Sequence, residues 1–278
     1  MKCIFTIDVE DWFHILDIPA VPELEVWDTL PSIVVKNTIR LFEILSDNNV
    51  SATCFFLGWI AEKYPQLVKM AAKAGHEVAS HGYSHELIYN KSQIEFEKEA
   101  RRTKEILENI GGKEVIGFRA SGFSATEKTP WLFESLIKTG HKYDSSIFPA
   151  ARGHGGMQGA DRFPHTIQIG DNSIIELPIT VAPVLGKNLC FFGGGYLRLF
   201  PYFIIKRYAK KVLADGRPVM FYIHPREIDI SHPRLPMGGY RQFKSYVNIK
   251  GTENKIRRLL KDFEFVTCRN FIADYYHE

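Results

Sequence analysis

The sequence has few cysteines and no long apolar run, and each absence limits what the protein can be. Its 278 residues contain no Cys-x-x-Cys pair, and the cysteines lie far apart in apolar segments, at Cys3, Cys54, Cys190 and Cys268. This spacing indicates reduced core thiols and speaks against a zinc knuckle or a disulfide framework. No apolar run approaches the roughly 20 residues needed for a transmembrane segment, and no signal-peptide pattern opens the chain. We therefore expect a cytoplasmic protein.

An excess of charge of one sign is also lacking. The 35 basic and 32 acidic residues give a net charge of +3, which does not indicate nucleic acid as the main partner. The hydrophobic content of 45% and charged content of 24% are ordinary for a globular protein with a sizeable core. No internal repeat or interdomain linker is visible. We expect one domain over residues 1–278, with a core at about 3–230 and a C-terminal extension at about 231–278.

Strand-like and helix-like segments alternate along most of the chain, which predicts βαβ units and a mainly parallel sheet. Strands are expected at about 2–8, 51–57, 75–80, 115–118, 141–144, 174–178, 218–224 and 263–267. Helices are expected at about 31–48, 61–74, 92–109, 129–139 and 252–261. The stretch 146–172 is rich in Gly, Pro, His and Arg, and is expected to be a long irregular loop over the site.

Two histidines, His81 and His85, stand four residues apart at the end of a strand-like run. Histidines at i and i+4 share one side of a helical turn, so both imidazoles can face one metal ion. Carboxylates that leave the first strand, in Asp8-Val9-Glu10-Asp11, can complete such a site. Taken alone, the histidines could lie on a surface turn and the acids could cap the next segment.

Further candidates fall where predicted strands end. In parallel α/β architectures the carboxyl ends of the strands converge on one face, where active sites form. We expect the following residues to meet there: Asp8, Glu10, His81, Arg119, Asp144 and His224.

Several short blocks resemble the polysaccharide deacetylase (NodB-homology, carbohydrate esterase 4) family. They are Thr6–Asp11, Ser80–His85, Gly117–Ala120, Tyr143–Ser146 and Tyr222–Pro225. Three further segments are similar to deacetylases encoded in bacterial exopolysaccharide-synthesis loci, namely Asp161–Pro164, Gly193–Arg198 and Phe221–Ile228. The resemblance implies an α/β fold of the distorted (β/α)7-barrel type and a carbohydrate substrate that bears N-acetyl groups. It also implies one divalent metal ion as cofactor, with zinc the expected one.

The resemblance implies roles for individual residues, although the first block departs from the family pattern of adjacent aspartates. Alternation along an extended strand puts Asp8 and Glu10 on one side and turns Asp11 away. Asp8 is then the catalytic base, and Glu10 joins His81 and His85 as a metal ligand. Asp11 stays an alternative ligand if the strand has already ended.

Other roles follow from the same resemblance. Arg119 would orient the base, and His224 would protonate the leaving amine. Asp144 is expected to orient a histidine or hold substrate, and Trp12 and Phe123 to stack on sugar rings.

The leading interpretation is a metal-dependent hydrolase that removes N-acetyl groups from N-acetylhexosamine units of an exopolysaccharide or its precursor. A deformylase or cyclic ureide hydrolase would keep the same site, and a non-catalytic sugar-binding module would keep only its shape. Two histidines and a carboxylate also form the facial triad of iron oxygenases, but the β/α alternation speaks against that class.

Overall fold

The computed structural model describes residues 2–16 and 18–276. The strands are β1 (Cys3–Val9), β2 (Thr53–Phe56), β3 (Glu77–Ser80), β4 (Gly117–Phe118), β5 (Tyr143–Asp144), β6 (His165–Ile169), β7 (Asn172–Glu176), β8 (Ala182–Val184), β9 (Lys187–Leu189), β10 (Val219–Ile223) and β11 (Phe265–Val266). The helices are α1 (Val34–Ser46), α2 (Gly58–Lys63), α3 (Pro65–Lys73), α4 (Gln93–Gly111), α5 (Leu132–Lys138), α6 (Gly194–Leu199), α7 (Tyr202–Ala214), α8 (Gly239–Tyr246), α9 (Thr252–Asp262) and α10 (Cys268–Tyr276).

The main sheet has the strand order β10-β1-β2-β3-β4-β5-β7-β6, and β11 pairs with the start of β1. Every pairing is parallel except that of β6 with β7. All residues of β1 and β10 are buried, as expected for parallel strands with both faces covered. The predicted α/β class with a mainly parallel sheet is confirmed. Within the described ranges no pairing joins β6 to β10 to close the ladder into a barrel.

The strand order explains why the candidate residues meet. β10, β1, β2, β3 and β4 are consecutive neighbours, and their carboxyl ends lie at one edge of the sheet. Asp8 lies at the end of β1 on that edge, and Glu10 follows β1 directly. The residues that directly follow β3, β4 and β10 reach the same edge, namely His81, Arg119 and His224.

Two sequence predictions of elements were wrong. The helix expected at 61–74 is two helices, because Pro65 lacks an N–H and occupies the first turn of α3 rather than the interior of one long helix. The stretch 146–172 is not irregular throughout, since it contains β6. In β6, half-buried and exposed residues alternate, which is typical of an edge strand. The strand was missed in the sequence because its polar residues are also common in loops.

Helices α6 and α8 went unpredicted, because both follow glycines and carry mixed polar residues. α8 lies beside the carboxyl edge of the sheet, where Arg198 of α6 donates hydrogen bonds to the carbonyls of Lys244 and Ser245. No helix in the described part of the chain is both long and apolar enough to cross a bilayer.

Candidate active site

Glu10, His81 and His85 bring one carboxylate and two imidazoles together at the carboxyl edge of the sheet. His81 Nε2 lies 2.9 Å from Glu10 Oε1, and His85 Nε2 lies 2.8 Å from the same oxygen. All three side chains are buried, and one ligand atom from each lies within 4.8 Å of the others. Two histidines and one glutamate form the ligand set of several catalytic zinc sites.

Hydrogen bonding around the histidines also fits a cation. His81 Nδ1 lies 2.7 Å from the Arg119 carbonyl, so Nδ1 carries the proton and Nε2 presents its lone pair to Glu10. A lone pair facing a carboxylate oxygen is unfavourable unless a cation or a proton lies between them. His85 Nδ1 is buried without a hydrogen-bond partner among the described residues, and the buried Nε2 contacts Glu10 Oε1 without the geometry of a hydrogen bond. These three residues therefore fit a divalent metal ion.

Asp11, the alternative ligand, is engaged elsewhere. Its carboxylate accepts hydrogen bonds from the backbone N–H groups of Trp12, Ile33 and Val34. The last two belong to the start of α1, where Ile33 offers no side-chain cap. Asp11 thus satisfies otherwise unpaired donors of a helix N-terminus and is not part of the ligand cluster of Glu10, His81 and His85.

Asp8 is held by the most deeply buried arginine of the site. Arg119 Nη1 donates to Asp8 Oδ1 at 2.6 Å and to Thr6 Oγ1 at 2.8 Å. The other side of the guanidinium packs over the Phe55 ring, with 4.0 Å between Cζ and the ring centroid. One oxygen of Asp8 is therefore fixed, while Oδ2 stays available and lies 3.9 Å from His224 Nε2.

His224 is oriented by a buried carboxylate, Glu227, that the sequence analysis missed. His224 Nδ1 lies 3.3 Å from Glu227 Oε2, which also accepts from the His224 backbone N–H. Arg198 Nε donates to the other Glu227 oxygen at 2.9 Å. His224 Nε2 is thereby directed toward Asp8 and toward Glu10, whose Oε1 lies 3.8 Å away.

The protonation of these groups follows from their neighbours. Burial raises the pKa of Glu10, but His85, His224 and His81 together hold it well below the ordinary value. Burial likewise opposes the ionised form of Glu227, yet Arg198 and His224 lower its pKa to about 2. Burial lowers the pKa of His224, but Glu10 and Glu227 outweigh it and raise the pKa above the ordinary value. The arrangement favours charged carboxylates around a protonated His224.

These side chains open into one cavity of about 530 Å³. Its wall includes Phe123, as the sequence predicted, with the ring packed edge-on against Tyr222. Phe123 has a φ of 54°, which a bulky residue adopts only when the surrounding structure holds it there.

Two predicted substrate-binding residues do not line this cavity. The Trp12 ring is buried, and its Nε1 donates to the Pro31 carbonyl, because the chain turns inward directly after Asp11. Asp144 is fully buried below the cavity and accepts hydrogen bonds from the N–H and Oγ of Ser146. Ser146 Oγ in turn accepts from the Ala120 N–H, so Asp144 supports the loop after β4 rather than a substrate.

The predicted helical turn between His81 and His85 was also wrong. Residues 81–87 form no helix, and Gly82 and His85 have φ values of 74° and 55°. The two imidazoles meet Glu10 through this irregular, partly left-handed backbone instead of through the i, i+4 spacing of a helix.

Several cavity residues gave no clear signal in the sequence. His14 lines the cavity, and its Nδ1 accepts from the Asp11 N–H. Glu227 was detectable only from its spacing of three residues after His224 in a Pro-initiated turn. Besides Arg198, four cationic residues from segments far apart in the chain line the cavity: Arg152, Arg226, Arg241 and Lys244.

Family models match most of the chain in two consecutive parts. The model described as "Polysaccharide deacetylase" matches residues 25–141. A second model, described as a domain of unknown function (DUF3473), matches residues 145–273.

Curated relatives match in part. A peptidoglycan-N-acetylglucosamine deacetylase of Bacillus cereus is 37% identical over 75 residues, which are 27% of this chain and 27% of that protein. A peptidoglycan deacetylase of Helicobacter pylori is 30% identical over 133 residues, which are 48% of this chain and 41% of that protein. The chain therefore spans less than half the length of these two relatives.

Solved structures share the fold along nearly the whole chain. A Mycobacterium smegmatis protein assigned to the polysaccharide deacetylases aligns with a TM-score of 0.65 and 22% identity, over 99% of this chain and 89% of that one. Puue allantoinase aligns with a TM-score of 0.65 and 15% identity, again over 99% and 89%. At these identities the likeness concerns the fold. The matched deacetylase model and the curated relatives, together with this shared fold, identify a domain of the polysaccharide deacetylase (NodB-homology, carbohydrate esterase 4) family in the chain.

Proposed function

We propose that this protein is a metal-dependent hydrolase that removes N-acetyl groups from N-acetylhexosamine units of an exopolysaccharide or its precursor. The observation that carries the proposal is the meeting of Glu10, His81 and His85 with Asp8 and His224 in one cavity. A linear amide needs activation of its carbonyl, a deprotonated water and a protonated leaving amine. The five side chains match these three needs.

Glu10, His81 and His85 would hold the metal ion. When bound there, a divalent ion such as zinc supplies Lewis-acid polarisation of the acetyl carbonyl and makes a nearby water more acidic. The His81 Nδ1–H donates to the Arg119 carbonyl, which fixes the ring and keeps its Nε2 lone pair on the cavity side.

Asp8 is the base in this proposal. Arg119 holds Asp8 Oδ1, so Oδ2 is the oxygen that accepts the proton of the attacking water. The oxygen of that water forms the new bond to the acetyl carbon.

His224 is the acid. Glu227 holds its Nδ1 side, so the Nε2 proton points into the cavity and passes to the sugar nitrogen as the C–N bond breaks. Acetate and a free amine leave. The raised pKa of His224, which burial opposes but Glu10 and Glu227 enforce, favours the protonated form that this step needs.

The substrate class has weaker support than the chemistry. The second family match, DUF3473, is typical of the exopolysaccharide-locus branch, and the curated relatives act on peptidoglycan according to their names. A cytoplasmic location would make the acetylated sugar a precursor rather than the finished polymer.

The test is product analysis with metal-stripped protein and then with zinc restored. N-acetylglucosamine oligomers, an N-formylated amino sugar and a cyclic ureide are offered in parallel. The proposal expects zinc-dependent acetate from the first substrate and little product from the others. Zinc-dependent formate or ring opening, without acetate, would replace the deacetylase with the corresponding amidohydrolase. Sugar binding without any product would leave a non-catalytic sugar-binding module.

A further inference from the structure

One wall of the catalytic cavity is strongly cationic. Arg152, Arg226, Arg241 and Lys244, which we call the cationic wall, line the same 530 Å³ space as Asp8 and His224. Arg226 follows β10 by three residues, and Arg241 and Lys244 lie on α8. Chain segments distant in sequence thus bring four positive charges to one side of the cavity.

The cationic wall has no ion-pair partner among the residues that the structure describes. Within residues 2–16 and 18–276, no carboxylate lies within ion-pairing distance of any of the four side chains. Arg152 instead lies over the Phe123 and Phe148 rings, with 5.0 and 4.7 Å from Cζ to the ring centroids. Other buried arginines of this protein are neutralised, for example Arg119 by Asp8 and Arg198 by Glu227.

Several donors of the cationic wall also have no acceptor. Arg226 Nε and Nη1 and Arg241 Nε are buried without a hydrogen-bond partner among the described residues. One nitrogen of Arg241, Nη2, donates to the Leu16 carbonyl, which fixes the guanidinium at the cavity. Buried donors left unpaired are costly, and a site that keeps them is typically built for a ligand that accepts from them.

The four charges also act on one another. Burial lowers the pKa of Lys244, and the nearby Arg152 and Arg241 lower it further. Burial lowers the pKa of Arg241 as well, and the nearby Arg226 and Arg152 lower it further. Like charges held together in a partly desolvated cavity raise the local affinity for anions.

We propose that the cationic wall binds a phosphate or diphosphate group that the N-acetylhexosamine substrate carries next to the sugar to be deacetylated. This inference rests on the proposed deacetylase function. A single carboxylate would neutralise only one of four positive charges, whereas a diphosphate carries several negative oxygens. Each of the three planar guanidinium groups can donate two hydrogen bonds to a pair of such oxygens. The diphosphate is bound and not cleaved, since hydrolysis occurs at the acetamide.

A diphosphate at the anomeric carbon can come from a nucleotide-linked or from a lipid-linked sugar. Both present the same charged oxygens to the cationic wall. They differ in what lies beyond it, and the experiment therefore includes both.

Equilibrium binding to metal-stripped protein tests the site without turnover and without phosphate binding to the metal. The probes are uridine diphosphate N-acetylglucosamine, a farnesyl-diphosphate-linked N-acetylglucosamine, neutral N-acetylglucosamine trimer and a uronate-containing oligosaccharide. The variant is Arg226→Gln/Arg241→Gln. Its charge-matched control is Lys210→Gln/Lys211→Gln, on the exposed face of α7.

We expect both diphosphate sugars, or the one with the natural carrier, to bind more tightly than the neutral trimer. Each lost charged hydrogen bond should raise the dissociation constant about tenfold or more in the arginine variant, whereas the control keeps wild-type affinity. The wild-type affinity should also fall as salt rises. If the double variant does not fold, Lys244→Gln decides in the same assay.

Equal affinity of the wild type for the trimer and the diphosphate sugars would overturn the inference. Unchanged diphosphate binding in a folded arginine variant, or tighter binding of the uronate oligosaccharide, would also overturn it. Acetate release by the zinc-loaded wild type separates the two claims. If acetate is released but diphosphate binding is absent, only the anion site fails. If diphosphate binding is lost in the variant but no substrate yields acetate, the deacetylase fails and the anion site stands.

Discussion

At the scale of single residues, neighbouring carboxylates have different tasks because they have different partners. Asp8 is bound by Arg119, Glu10 faces two imidazoles, and Asp11 accepts backbone N–H groups at the start of α1. Strand alternation alone predicted which side chains share a face, but it did not show what Asp11 does instead. Its hydrogen bonds to Ile33 and Val34 depend on tertiary structure.

A pair of substitutions separates the roles of Glu10 and Asp11. Glu10→Gln should weaken zinc binding by more than the roughly 10–100-fold typical of changes outside the ligand shell, with little loss of stability. Asp11→Ala should lower the free energy of unfolding by about 1–3 kcal/mol, since it leaves buried donors unpaired, and should keep zinc affinity. Zinc titration and denaturant unfolding measure the two effects. The reverse pattern would make Asp11 the ligand.

At the scale of strands and helices, β5 and β7 end in a pair of buried carboxyl groups. Asp144 pairs in register with Glu176, and both are fully buried. Glu176 Oε1 accepts from the Ile147 N–H, while Oε2 has no hydrogen-bond donor among the described residues. Burial first, and the Asp144 charge second, raise the pKa of Glu176 well above its ordinary value. Glu176 is therefore the carboxyl that keeps its proton.

This pair predicts a pH dependence of stability. The pKa of Glu176 is higher in the folded protein than in the unfolded chain, where it is near 4.5. Its contribution to the free energy of unfolding is therefore complete below pH 4.5 and is lost as the pH rises through the folded pKa. Glu176→Gln removes that loss. The free energy of unfolding of the variant should therefore rise relative to that of the wild type as the pH goes from 5 to 8. Denaturant unfolding of metal-free protein at several pH values measures this. Glu127→Gln, on the surface, is the control. Wild-type and Glu176→Gln curves that stay parallel would contradict the conclusion that Glu176 keeps its proton in the folded protein.

The glycines at the start of α6 have a packing explanation. A Cβ on Gly193 would lie 2.2 Å from the Tyr222 ring, and one on Gly195 would lie 2.7 Å from the Lys244 carbonyl. Close approach of α6 to β10 and α8 therefore requires residues without side chains. The sequence alone does not reveal this packing, because a run of three glycines suits a tight turn or an anion nest equally well.

Gly193→Ala should accordingly cost about 1–3 kcal/mol of stability, the usual range for overpacking. Gly238→Ala is the matched control, since a Cβ there meets nothing within 4 Å and its φ of −58° suits alanine. Thermal unfolding of both variants measures the difference. Equal stabilities would mean that α6 can move away from Tyr222 at little cost.

At the scale of the whole molecule, the sequence predicted the parts that depend on local pattern. Apolar strands, βαβ alternation and polar residues at strand ends placed Asp8, Glu10, His81, Arg119 and His224 at one edge of the sheet. It missed what depends on long-range packing, including the burial of Trp12 and Asp144 and the arrival of α8 at the cavity. No local pattern marks Arg241 or Lys244 as cavity residues, because α8 reaches the site through long-range contacts, among them those with Arg198 of α6 and with Leu16.

Metal binding should stabilise the whole fold if the three ligands share one ion. A ligand that binds only the folded state at 100 times its dissociation constant adds about 2.7 kcal/mol. Zinc should therefore raise the melting temperature of metal-stripped wild type, and a chelator should reverse the change. Glu10→Gln should show little of this response. A similar zinc response in that variant would place the ion elsewhere.

The central claim is that Asp8 performs the chemistry beside a metal held by other residues. The most direct measurement is the rate of acetate release per bound zinc for wild type, Asp8→Asn and the surface control Asp171→Asn. We predict that Asp8→Asn keeps its zinc and loses about 10²–10⁴-fold in rate, while the control matches wild type. Wild-type turnover in zinc-loaded Asp8→Asn would contradict the account.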